Sequence, residues 1–181
     1  GPTGLGLEST VLDMSGEIPV ILRPGGVTRE ELAEALTCPV KVDPALFDWR
    51  ETPKAPGMKY THYSPRAEVI LIDGGPEKVW RKAAELAEEY AAQGRKVGLL
   101  LTDEVCSLAG DSKAAYVKNL GSRGQLNQIA RNIYGELRLC DEAGVDIVLT
   151  ETYKEEGLGA ALMNRLLKSA GYKIIRVGED S

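Results

Sequence analysis

Residues 56–65 read Pro-Gly-Met-Lys-Tyr-Thr-His-Tyr-Ser-Pro and hold the chain's one histidine. Between two prolines they set an ammonium at Lys59, phenols at Tyr60 and Tyr63, and an imidazole at His62. Proline fixes its own φ and turns the preceding residue toward extended backbone, so neither a helix nor a central strand is expected here. An imidazole that titrates near neutrality can carry a proton, or it can simply orient a ligand by hydrogen bonding. A second set of groups lies near the start, in Gly4-Leu-Gly6-Leu-Glu-Ser9-Thr10 and then Ile21-Leu-Arg23-Pro-Gly25-Gly26. Glycine-rich backbone allows close approach, and the hydroxyls of Ser9 and Thr10 can donate to phosphate oxygens. Arg23 adds a planar fork of donors that matches phosphate or carboxylate. Blander readings fit the same local patterns. The first set also reads as a surface linker with a few aromatics, the second as a hairpin with an ordinary arginine, and Gly-x-Gly alone is a weak signal.

The elements that must position these groups fall into two parts. From about residue 67, apolar runs alternate with helical stripes. The runs are 68–72, 97–101, 115–119, 145–149 and 173–177. Between them, Val79, Ala83, Leu86, Ala87 and Tyr90 recur at helical spacing, as do Ile129, Ile133 and Leu137, and later Leu158, Leu162 and Leu166. Thr102 is placed to cap a short helix that runs to Leu108. Near-continuous apolar strands separated by helices predict a mainly parallel five-stranded sheet covered on both faces, a Rossmann-like three-layer α/β sandwich over residues 67–181. Residues 1–42 predict two short strands (10–13 and 19–22), a tight turn at Arg23-Pro-Gly-Gly, and a helix opened by the capping box Thr28/Glu31. So little structure cannot bury an adequate core. This part is expected to be the end of another domain, mobile or packed on a partner. Residues 43–66, with four prolines, join the two parts.

Composition narrows the function. Acidic residues number 27 and basic residues 22, a net charge of −5 that opposes non-specific binding to a nucleic-acid backbone. No apolar run approaches the roughly 20 residues of a membrane span. The cysteines at 38, 106 and 140 are far apart and form no C-x-x-C. With one histidine, a zinc site has almost no ligands to draw on, and free, packed thiols in a reducing cytoplasm are the simplest expectation.

Three stretches together carry a resemblance: Gly-Pro-Thr-Gly-Leu-Gly-Leu-Glu-Ser-Thr-Val-Leu-Asp from residue 1, Ile-Leu-Arg-Pro-Gly-Gly-Val-Thr from residue 21, and Ala-Pro-Gly-Met-Lys-Tyr-Thr-His-Tyr-Ser-Pro from residue 55. In this order and spacing the chain resembles threonylcarbamoyl-AMP synthase in its long form, with a YrdC-like catalytic domain, a linker and a C-terminal Rossmann-like domain. Gly157-Leu-Gly159-Ala-Ala-Leu-Met-Asn164-Arg165-Leu-Leu-Lys168 resembles a motif of that C-terminal domain. The resemblance implies that residues 1–42 are the end of the catalytic domain, and that the family's Lys-x-Arg and Ser-x-Asn motifs belong to a portion absent from this sequence. This polypeptide alone is then expected to be inactive.

The implied reaction joins L-threonine, bicarbonate and ATP into threonylcarbamoyl-AMP with release of pyrophosphate. A separate transferase, a possible partner, passes the threonylcarbamoyl group to tRNA, which this chain is not expected to bind directly. Carried over by motif, Ser9, Thr10, Arg23 and Tyr63 would bind ATP, with magnesium accompanying the nucleotide and no tightly bound cofactor. Lys59, Tyr60 and His62 would close the pocket and serve the chemistry. The alternative is a stand-alone α/β module that senses a nucleotide or docks a partner. Gly121-Ser-Arg-Gly124 and Gly157-x-Gly159, each before a helix, are possible anion nests or plain turn and packing glycines.

Overall fold

The computed structural model describes residues 6–48, 50 and 64–178. Lys59, Tyr60, His62 and Tyr63 lie outside the described residues. The carboxyl-terminal part runs β4 (Glu68–Asp73), α2 (Pro76–Ala92), β5 (Val97–Leu101), α3 (Asp103–Cys106), β6 (Tyr116–Asn119), α4 (Leu126–Glu142), β7 (Ile147–Glu151), α5 (Leu158–Ser169) and β8 (Ile174–Arg176). Its five strands pair in the order β6-β5-β7-β4-β8, and all four pairings are parallel.

Strand side chains alternate between two cores, as a period of two requires. Val69, Leu71, Leu100 and Val148 face α4 and α5, where they meet Ile133, Leu137, Leu162 and Leu166. Ile70, Ile72, Leu99, Leu101, Ile147 and Leu149 face the other way, onto Val79, Ala83 and Leu86 of α2 and Val105 of α3. A sheet covered on both faces is why its strands read as continuous apolar runs. The chain moves from β4 to one edge through β5 and β6, then returns to place β7 between β5 and β4. The carboxyl ends of β5, β7 and β4 therefore lie together mid-sheet.

Two elements differ from expectation. β7 begins and ends two residues later than the apolar run 145–149. The Val145 amide bonds Cys140 O and closes α4, and the ladder with β4 then starts at Asp146 and Ile147. Polar Thr150 and Glu151 complete the strand, fully buried. Thr102 precedes α3 but makes no side-chain cap, because its hydroxyl donates to Glu151 at 3.1 Å.

The amino-terminal part has β1 (Val11–Asp13), β2 (Val20–Arg23), α1 (Arg29–Leu36) and β3 (Lys41–Val42), with β2 central, antiparallel to β1 and parallel to β3. The capping box forms as expected: Thr28 Oγ1 accepts from the Glu31 amide, and Glu31 accepts from the Thr28 amide at 2.7 Å. The two-residue β3 is too short to show a pattern in sequence. This part is docked on the same chain rather than loose. Leu7 is 4% exposed and shares a core cluster with Ile129, Ala130 and Ile133 of α4 and Leu162 and Leu166 of α5. Gly6, at φ +64°, passes so close to α4 that a Cβ would lie 3.0 Å from Ala130 O. Asn164 of α5 donates to Leu46 O at 2.7 Å, both residues buried.

Candidate functional site

Ser9 precedes β1, and Arg23 ends β2 directly opposite Val11. The antiparallel pairing thus sets hydroxyl and guanidinium side by side. Arg23 Nε and Nη2 donate to Ser9 O at 3.1 and 3.0 Å, and Nη2 also reaches Ser9 Oγ at 3.3 Å. The Arg23 side chain stays 24% exposed. Behind it the Gly25-Gly26 turn lies against the Glu8–Thr10 backbone. The Gly26 amide donates to Glu8 O at 3.0 Å, and a Cβ on Gly25 would overlap the backbone of Glu8, Ser9 and Thr10. Thr10 Oγ1 donates to Val27 O at 2.6 Å and accepts from the Val27 amide, so this hydroxyl pins the turn. Ser9 and Arg23 therefore converge, while the Thr10 hydroxyl is taken up by Val27.

Glu8 had no role assigned from sequence, though it is the one acid in the Gly4–Thr10 stretch. Its Oε2 lies 3.4 Å from Arg23 Nη1 and 3.2 Å from Arg165 Nη2 of α5. The Arg165 guanidinium also sits over the Tyr134 ring of α4, 5.4 Å from its centroid. Burial pushes the Tyr134 phenol up to about 12, so it keeps its proton. Lys168, one turn along α5 from Arg165, has its pKa lowered mainly by burial; Glu8 pulls it back up, and the charges of Arg165 and Arg23 add to the lowering. Arg165 and Lys168 stand in the quoted C-terminal motif, but its spacing could not show that α5 reaches Glu8, ahead of β1.

The carboxyl edge of the parallel sheet is the usual ligand crevice of an open α/β sheet, and here the protein's own charges fill it. Glu151 is fully buried. It accepts from the Thr102 amide at 2.5 Å and from Arg123, whose Nη2 lies 2.8 Å away. The Gly121–Gly124 loop resembles a nest, but the Glu104 carboxylate occupies it, accepting from the Arg123 amide at 2.9 Å and from Ser122 Oγ at 2.7 Å. Burial pulls the Glu104 pKa up, and these hydrogen bonds outweigh it to leave a net lowering. Gly159 has a packing reason to be glycine, because a Cβ there would overlap Lys154 O. Among the described residues no group of three or more His, Cys, Asp or Glu is placed to hold a metal ion. The three cysteines are free, and burial raises the Cys140 thiol to about 12. No helix of the described residues is long and apolar enough to cross a membrane.

Residues 27–171 match the family model described as threonylcarbamoyl-AMP synthase, C-terminal domain. The chain belongs to this family. It is 47% identical over 176 residues to the threonylcarbamoyl-AMP synthase of Bacillus subtilis, covering 97% of this chain and 49% of that protein. Among solved structures it matches Sua5 of Pyrococcus abyssi complexed with L-threonine, at a TM-score of 0.83 and 42% identity, over 97% of this chain and 49% of the other. It also matches a variant of that Sua5 with a neighbouring histidine and tyrosine replaced by alanine, at a TM-score of 0.83 and 41% identity, over 99% and 49%. The chain spans about half the length of these family members.

Proposed function

We propose that this chain forms the C-terminal half of a threonylcarbamoyl-AMP synthase acting in tRNA modification in the cytoplasm. Residues 1–42 close its catalytic domain, 43–66 are the linker and 67–181 the C-terminal domain. The observation that carries this reading is Arg23, held by the Ser9 carbonyl at the end of β2 with its side chain 24% exposed.

The amine of L-threonine takes up bicarbonate as a carbamate, with loss of water. A carbamate oxygen attacks the α-phosphorus of ATP, the bond to the β-phosphate oxygen breaks, and pyrophosphate leaves with the bonding electrons. Arg23 orients the phosphates and offsets charge on the leaving group, and the Ser9 hydroxyl donates to a phosphate oxygen. Thr10 assists by holding the turn in register. Magnesium arrives with ATP as part of the substrate. Lys59, Tyr60, His62 and Tyr63 close over the mixed anhydride and exclude water that would hydrolyse it, with His62 in an orienting role. The chain's one histidine is followed by a tyrosine, the pair of residue types replaced in the P. abyssi variant.

The sensing alternative draws no support from the sheet's carboxyl edge, where Arg123 is committed to Glu151 and the Arg123 amide to Glu104. The reading is tested by titrating ATP into the full-length protein and its Arg23→Ala variant. Loss of about tenfold or more in affinity is expected for a charge-assisted phosphate contact. Equal affinity would remove Arg23 from the site. Residues 1–181 alone are expected to release no pyrophosphate.

A further inference from the structure

The family resemblance gives the C-terminal domain no task in the reaction, yet its helices carry the support of the phosphate-site arginine. Three ties set the direction of the Arg23 fork. Beyond a further contact from Nη2 to Ser9 Oγ, two run to Ser9 O and the third, at Nη1, to Glu8. The same Glu8 oxygen faces Arg165 of α5. Arg165 is 22% exposed and seated over Tyr134 of α4, in a packed region shared with Leu7, and its buried Nη2 makes no hydrogen bond among the described residues but meets Glu8 as an ion pair. Cations over aromatic faces are held by the ring's negative potential. Glu8 itself, in the stretch before β1, is 51% exposed.

Charge balance points the same way. Without the carboxylate, the guanidiniums of Arg23 and Arg165 would repel each other, with Lys168 adding a third positive charge nearby. Glu8 turns that repulsion into a bridge. It sits between the two, 3.2 Å from Arg165 and 3.4 Å from Arg23. A planar donor fork acts on phosphate only when correctly aimed, because small misplacements cost rate steeply.

We propose that Arg165 is a positioning residue of the phosphate site, acting on Arg23 through Glu8, so that the α/β domain aims the arginine that contacts the nucleotide. This rests on the synthase reading given above.

The test measures steady-state kinetics of the full-length protein carrying Arg165→Met, Arg165→Lys, Glu8→Gln, or Glu8→Gln with Arg165→Met. Methionine keeps the apolar stem and removes the charge. Arg165→Met is expected to raise KM for ATP on the order of tenfold, within the span of couplings between contacting residues, while KM for threonine stays put. Arg165→Lys should recover part of the loss, and the double variant should be no worse than the poorer single. If Arg165→Met does not fold, Glu8→Gln and Arg165→Lys carry the same comparison. An unchanged KM for ATP, or losses that simply multiply in the double variant, would overturn the proposal. Arg23→Ala separates the two levels. If it raises KM for ATP while Arg165→Met does not, only the relay fails; if Arg23→Ala leaves KM for ATP unchanged, the synthase reading of this site fails.

Discussion

Arg123 and Glu151 meet at 2.8 Å across the carboxyl edge of the parallel sheet, and Glu151 is wholly buried there. In an open α/β sheet this crevice usually receives a ligand. Here a buried carboxylate, a guanidinium, the Thr102 amide and the Glu104 carboxylate satisfy one another. On the amino-terminal sheet, Arg23 is tied to Ser9 and Glu8 with its side chain 24% exposed.

Arg123→Met should strand the Glu151 charge in the interior. Removing one partner of a buried pair typically costs about 3–5 kcal/mol. Urea unfolding of residues 1–181 should show a loss of that order, with much of it recovered by adding Glu151→Gln. A loss below about 1 kcal/mol, the ordinary value for an exposed pair, would mean that water shields Glu151.

Gly25→Ala should damage site and fold together, since its Cβ would overlap the backbone of Glu8, Ser9 and Thr10. Overpacking costs about 1–3 kcal/mol. A lower melting temperature should accompany weaker ATP binding by the full-length protein. Normal values of both would show that the turn can move away from Ser9 at little cost.

Acid should weaken the fold through Glu68 and Glu104. Hydrogen bonds from Lys173 and Arg95 lower the Glu68 pKa below the ordinary 4.5, and those from Arg123 and Ser122 lower that of Glu104 against the pull of burial. A depressed folded-state pKa gives stability that is fully present above 4.5 and is lost as pH falls through the folded value. Melting temperature should therefore hold above pH 4.5 and fall below it, less steeply in Glu68→Gln, which has less to lose. Equal slopes in the two proteins would count against this origin.

Much of the fold was legible because a sheet covered on both faces writes its strands as unbroken apolar runs. The two-residue error at β7 has a physical cause: Thr150 and Glu151 look like a strand's polar exit, and only the tertiary partners Leu100, Thr102 and Arg123 make them interior. Ser9 and Arg23 could be singled out from residue type and glycine context, but their convergence depends on strand register. Glu8 and Arg165 were invisible as a pair, because their meeting depends on how residues 6–8 seat on α4 and α5. Leu7 was the local hint, an apolar residue amid glycines that proves to belong to the other part's core.

The segment around His62 makes its own prediction. In the full-length protein, His62→Ala and Tyr60→Phe should reduce turnover while leaving the protein folded. A fall near 10²-fold for His62→Ala would reach the range of proton transfer, and a smaller one would fit orientation. Unchanged turnover in both variants would make residues 56–65 a tether.

The most direct measurement is pyrophosphate release by the full-length protein from ATP, L-threonine and bicarbonate, with each substrate omitted in turn. The account predicts release that needs all three and stops in Arg23→Ala. Release independent of threonine or bicarbonate, or undiminished in Arg23→Ala, would contradict it.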